Sequence, residues 1–221
     1  RGDYLVHLAH ARPDAFVVGV EVANRSLDAA ERRLLRGAAP NARVVHASAE
    51  AALAHLFAPA SLSEIHVNFP DPWFKARHKG RRLIRGEVLD AMVSRLAPGG
   101  RLFLATDILA YAEMAAALFA GTPGLSNPEA EPWSAAMSGR TVTKYEAKAR
   151  AEGRDCHYFV RVRNARPAPE VPVEEDRPMP HVTFEGPLDL PALQAAFERA
   201  EFASGTTHVG LLEAYRADDA L

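Results

Sequence analysis

At 221 residues, 48% hydrophobic and 24% charged, the chain can bury a full core and is too apolar to stay disordered. Its net charge of −2 conceals a division that keeps a nucleic-acid partner open: residues 1–164 hold 22 Lys/Arg against 17 Asp/Glu, whereas 165–221 hold 4 against 11. A single Cys156 excludes an intrachain disulfide and fits a reducing cytoplasm, and no apolar run approaches the ~18 residues of a membrane span.

Taken in chain order, Phe16 to Val20, Val44 to Val45 with their neighbours, Ile65 to Phe69, and Leu102 to Ala105 read as buried strands. Each is followed by a helix-period stretch. Val88, Leu89, Met92, Val93 and Leu96 share one helix face, and Pro98-Gly99-Gly100 ends that helix. Such alternation predicts an α/β fold with a mostly parallel sheet covered on both faces, whose ligands bind at the carboxyl ends of the strands. From Arg166 to Pro180, five prolines and Glu174-Glu175-Asp176 read as an extended linker. Beyond it, His181 to Glu185 reads as a strand and Asp189 as the cap of a helix running to about Ala203. Thr207 to Tyr215 reads as a further strand. No internal repeat is visible.

Asn68-Phe-Pro-Asp-Pro-Trp73 sets an acidic, aromatic turn beside Lys75, Arg77, Lys79, Arg81, Arg82 and Arg85, with no acid between Asp71 and Glu87. An enzyme that modifies a nucleotide needs both parts, a shaped pocket for one base and a cationic surface for the flanking phosphates. The basic run is also readable as a solvated face, and Trp73 and Phe74 as rings buried on the sheet. Gly80 and the adjoining prolines favour a loop, which can wrap a phosphate backbone.

Other strand ends carry acids. Glu21 lies 19 positions after Gly2, close to the spacing between a glycine turn and the carboxylate that grips a nucleotide ribose. It reads equally as a strand-end carboxylate facing solvent. Asp107 follows the fourth strand and reads first as a helix cap, a role compatible with facing a ligand. Thr143-Lys144-Tyr145-Glu146 fits a capping box, which leaves Lys144 and Tyr145 free to meet RNA together with Lys148 and Arg150. The nine histidines show no paired metal-ligand spacing, so no metal is expected.

With these residues in view, the chain resembles the tRNA (guanine-N7)-methyltransferase family over roughly residues 1–164. Asn68-Phe-Pro-Asp-Pro-Trp73 with Lys75 and Arg77-His78, then Ala105-Thr106-Asp107, then Thr143-Lys144-Tyr145-Glu146 occur in that family's order. The resemblance implies a Rossmann-like class I methyltransferase sheet with helices on both faces, S-adenosylmethionine as cofactor, tRNA as substrate and a cytoplasmic site of action. It also implies Asp71 as the catalytic acid, and Gly2, Glu21, Ser48, Asn68 and Asp71 around the cofactor. Lys75, Arg77, Asp107, Thr143, Lys144, Tyr145 and Glu146 would meet substrate. Ser48 stands where the family usually has Asp.

The opening Arg1-Gly2-Asp3-Tyr4-Leu5 looks like the tail of the family's glycine-rich loop; the family's first strand and most of that loop are absent from this sequence, which reads as a fragment at its front end. Residues 165–180 are expected as a Pro-rich acidic linker, and 181–221 as a small α+β appendage cut short at its end. Two other functions fit the same residues less closely: a catalytically silent RNA-binding protein of this fold, and a methyltransferase acting on an exocyclic amine.

Overall fold

The computed structural model describes residues 2–73, 76–171, 189–198, 200–204 and 207–211. Two compact units divide the chain, Arg1–Asp176 and Arg177–Leu221.

In the first unit, α1 (Asp3–Ala11) leads into β1 (Val17–Glu21), α2 (Asn24–Arg36) and β2 (Ala42–His46). β1 and β2 pair in parallel, from Val17 beside Ala42 to Glu21 beside His46. Ala9, Leu34, Ala39 and Ala42 form the core beneath them, packed by Leu5, Val6, Val17 and Val44. Gly19 lets α1 approach this pair closely, since a Cβ there would fall 2.8 Å from Leu5 Cδ2. At the head of α1, Gly2 has φ of 84°, and a Cβ would fall 2.9 Å from the Ala30 Cα of α2.

A second sheet holds β3 (Leu62–Asn68), β4 (Leu96–Thr106), β5 (Leu125–Ser126) and β6 (His157–Arg163), in the order β3-β4-β6-β5. The short α3 (Ala49–Ala51), extended by a wider turn over Ala52–Leu56, precedes β3. α4 (Gly86–Arg95) connects the parallel neighbours β3 and β4, α5 (Leu109–Ala120) follows β4, and α6 (Lys144–Ala151) precedes β6. Leu89, Met92 and Val93 of α4 pack with Leu102 and Leu104 of β4 and with Ala112, Ala115 and Phe119 of α5. Burial of each large apolar side chain there contributes about 1.5–3 kcal/mol.

β6 runs antiparallel to both β4 and β5. The sheet is therefore mixed, where strand and helix alternation had predicted a mostly parallel one; apolar periodicity locates strands but carries no direction. α4 ends at Arg95, and Pro98-Gly99-Gly100 lies inside β4 instead of closing the helix. The register passes from Leu62 beside Leu96 to Glu64 beside Arg101, so these residues form a bulge.

α1 is fastened to both sheets. Its Leu5 sits on Gly19 of β1, while Arg12 pairs with Glu64 of β3 and the Tyr4 hydroxyl lies 3.0 Å from His66 Nδ1.

In the second unit, α7 (Leu190–Ala195) begins with Asp189 Oδ1 accepting from the Ala192 amide at 3.0 Å. The cap is where the sequence put it, but the helix stops at Ala195. β7 (Ala200–Ser204) then pairs antiparallel with β8 (Thr207–Leu211), from Ala200 beside Leu211 to Ser204 beside Thr207. Cross-strand pairing such as Phe202 beside Val209 leaves no trace in helical periodicity. The strand expected at His181 to Glu185 lies outside the described residues.

Candidate functional site

The parallel strands end on or just before residues singled out above: β1 on Glu21, β2 two residues before Ser48, β3 on Asn68, and β4 immediately before Asp107. Hydrophobic periodicity fixes where these strands stop, and the polar residues follow at the stops.

Glu21 Oε1 accepts from the amides of Val22 and Ala23, both at 3.0 Å, so the carboxylate orders the turn into α2. Ser48 caps α3 by accepting from the Ala51 amide at 3.1 Å. Asp107 does not cap α5, against the simplest reading of its position; Ile108 is the cap residue. The Ile108 amide donates to Thr106 Oγ1 at 3.3 Å, and the half-buried Asp107 pairs with Arg154.

Asn68 opens the acidic turn, and its Oδ1 is buried without a hydrogen-bond partner. An unsatisfied buried acceptor costs about 1–3 kcal/mol. Phe69 and Trp73 both sit at positive φ, 49° and 41°, so the Pro-Asp-Pro between them is held by two strained residues. Phe69 donates its amide to the Ala105 carbonyl at 2.7 Å, and Asp71 is exposed at the crest.

The basic run is not an open loop: Ala76–Arg81 forms a 3-10 turn. Its cations have different employments. Arg82 donates from Nε to the Pro72 carbonyl at 3.0 Å and from Nη2 to the Trp73 carbonyl at 3.3 Å. Arg85 donates to Glu50 at 3.0 Å. The Arg81 guanidinium lies 5.3 Å from the Trp73 ring centre, and His78 meets that ring edge-on at 5.4 Å. Arg77 is exposed and donates to His78 at 3.2 Å. Phe74 and Lys75 lie outside the described residues.

Thr143 and Glu146 form the expected capping box, with Thr143 Oγ1 accepting from the Glu146 amide at 3.1 Å. Glu146 does more than cap. Only 2% exposed, it accepts from Arg140 Nε at 3.3 Å, Arg150 at 2.7 Å and the Tyr158 hydroxyl at 2.7 Å. Burial, with the Glu146 carboxylate alongside, pushes the Tyr158 phenol up to about 12. Lys144 is exposed, while Tyr145 stacks on Phe69 with ring centres 6.5 Å apart.

Residues 1–159 match the family model described as a putative methyltransferase. A tRNA (guanine-N7)-methyltransferase of Cutibacterium acnes is 40% identical over 158 residues, which are 71% of this chain and 57% of that relative. One from Syntrophotalea carbinolica is 31% identical over 163 residues, 74% of this chain and 70% of that relative. The chain belongs to the tRNA (guanine-N7)-methyltransferase family. It spans little more than half the length of the first of these relatives. Among solved structures, the 16S rRNA methyltransferase KamB superposes with a TM-score of 0.54 at 16% identity, covering 74% of this chain and 83% of that one. That likeness establishes the class I methyltransferase fold.

Within this family member, the structure adds residues that sequence reasoning passed over. Tyr4, His66 and Arg140 converge near the turn, with the Arg140 guanidinium 4.7 Å from the Tyr4 ring centre. His66 Nε2 lies 2.9 Å from Glu64 Oε2. With Nε2–H donating to Glu64, Nδ1 accepts from Tyr4, which fixes a neutral tautomer. Alternation along β3 was the available signal: Glu64, His66 and Asn68 occupy every second position on one face. Among the described residues no cluster of metal-ligating side chains occurs, and no helix is long and apolar enough to cross a membrane.

Proposed function

We propose that the protein carrying this chain transfers a methyl group from S-adenosylmethionine to N7 of a guanosine in the tRNA variable loop, acting in the cytoplasm. The strained Asn68–Trp73 turn carries the reading: it presents Asp71 at a strand end, beside a basic turn, in a chain of this family.

The residues present fit the cofactor. Asn68 Oδ1 is a buried acceptor awaiting a donor, Gly2 keeps the head of α1 free of a side chain, and the Glu21 carboxylate stands at the β1 end. Gly2, Glu21, Ser48, Asn68 and Asp71 are the proposed cofactor contacts. When bound, S-adenosylmethionine supplies an electrophilic methyl on a sulfonium sulfur.

Guanine N7 offers an in-plane lone pair, so no proton leaves before attack, and the protein's task is chiefly alignment. Asp71 is assigned to the base: its carboxylate accepts from the N1–H and amino edge and steadies the positive charge that develops on the purine. Lys75, Arg77 and Lys144 are the proposed phosphate contacts, with Asp107, Thr143, Tyr145 and Glu146 arranging the substrate side. Arg82 and Arg85 are withdrawn from that role by their bonds within the protein.

Transfer of labelled methyl to unmodified tRNA, followed by aniline cleavage at the modified purine, tests the proposal. A cut at a variable-loop guanosine supports it; label resistant to aniline cleavage points to an exocyclic amine and overturns it. Calorimetry with S-adenosylmethionine separates either enzyme from a silent RNA-binding protein. Asp71→Asn should lower turnover about 100-fold with tRNA affinity nearly unchanged; equal loss of both removes Asp71 from the chemistry.

A further inference from the structure

Arg140 is a buried cation. Its side chain is 4% exposed, and its Nε donates to Glu146 at 3.3 Å. The guanidinium lies against three aromatic rings, with centres at 4.7 Å for Tyr4, 5.5 Å for Tyr158 and 5.9 Å for Phe69. Yet Nη2 is buried without a hydrogen-bond partner. A guanidinium placed for stability alone would have all its donors satisfied, because each buried orphan is costly. Its place is set by the rings, since a flat cation fills the space between aromatic faces.

One of those rings matters for the site. Phe69 holds a left-handed backbone immediately before Pro70, a conformation that a bulky residue keeps only when its surroundings enforce it. Its ring has Tyr145 stacked on it at 6.5 Å and the Arg140 guanidinium at 5.9 Å. Both residues come from one segment, and that segment is pinned at its base by the Thr143–Glu146 capping box and by the His7 ring on the Gly139 carbonyl at 2.9 Å.

The geometry points to Arg140 as a positioning residue for methyl transfer: anchored on Glu146, it holds Phe69 in its strained conformation and so sets the angle at which Asn68 and Asp71 meet their ligands. This rests on the reading of the Asn68–Trp73 turn as the methyl-transfer site. Arg140 touches no reacting atom in this account. Its effect passes through the Phe69 ring, which makes the two residues one energetic unit.

The test is a double-mutant cycle in the full-length protein, using R140Q, F69A, the pair, and R140K. Turnover, KM for unmodified tRNA, the calorimetric Kd for S-adenosylmethionine and the unfolding midpoint are measured for each. R140Q is expected to lower kcat about tenfold with KM within about threefold, and the double variant to be no slower than the worse single one. R140K keeps a cation among the rings and recovers part of the loss. Losses that multiply in the double variant overturn the inference, as does a fall in R140Q activity matched by an equal fall in folded fraction. A wild-type protein that transfers no methyl brings down the underlying reading instead, before any variant is compared.

Discussion

Arg82 donates its Nε–H to the Pro72 carbonyl at 3.0 Å, so a member of the basic run holds the acidic turn beside it. Arg77, five positions earlier, is exposed. Two cations that look alike in the sequence therefore make different demands. Arg77→Ala should weaken tRNA binding and reduce the slope of log affinity against log salt by about one unit. Arg82→Ala should leave that slope unchanged and lower turnover about tenfold through a loosened turn. Filter binding across a salt series, with turnover measured in parallel, checks both.

Glu146 gathers three side-chain donors in a buried place. Glu146→Gln removes the charge that offsets Arg140 and should cost about 3–5 kcal/mol of stability, as breaking buried ion pairs does. The denaturant midpoint should fall without a change in m-value.

Burial holds the His66 imidazole below its usual range, outweighing the Glu64 carboxylate that pulls the other way, and Arg140 and Arg12 add to the depression. The folded protein then binds its proton only at lower pH than the unfolded chain does. Stability is retained above the unfolded value near ~6.5 and declines as pH drops from there through the depressed folded value. For Glu64, burial acts to raise the carboxyl, but bonds to His66 and Arg12 prevail and hold it below the ordinary value. Its contribution is lost at still lower pH, as pH falls from ~4.5. Unfolding midpoints between pH 4 and 8, for wild type and His66→Gln, should differ in slope below pH ~6.5.

Gly100 stands in the β4 bulge, where a Cβ would lie 2.8 Å from the Ala97 carbonyl oxygen and 3.1 Å from that of Ser63. Both neighbours are backbone and cannot swing away. Gly100→Ala should cost about 1–3 kcal/mol. Gly86→Ala, at a site with nothing within 4 Å of the added carbon, serves as the control. Thermal unfolding of the two variants gives the comparison.

The strands that carry the site were legible because apolar runs mark them: Phe16 to Val20 became Val17–Glu21, and Ile65 to Phe69 became Leu62–Asn68. The capping box was legible too, because its two members lie three residues apart. What stayed hidden is made by distant partners. Arg140 meets Tyr4 across 136 positions, and Tyr4 meets His66 across 62. Asp107 was read as a cap because Arg154, its partner 47 residues on, cannot be paired with it from linear order.

The attachment of α1 to both sheets has a thermodynamic consequence. Separate sheets in one unit are free to melt separately, but an element bonded to each forces their fates together. Leu5 against β1, with Arg12 and Tyr4 against β3, makes α1 such a coupling. A ligand seated at the Gly2 end of this helix would accordingly protect amides in β1 and β3 to the same degree in hydrogen exchange, although β1 and β3 share no ladder.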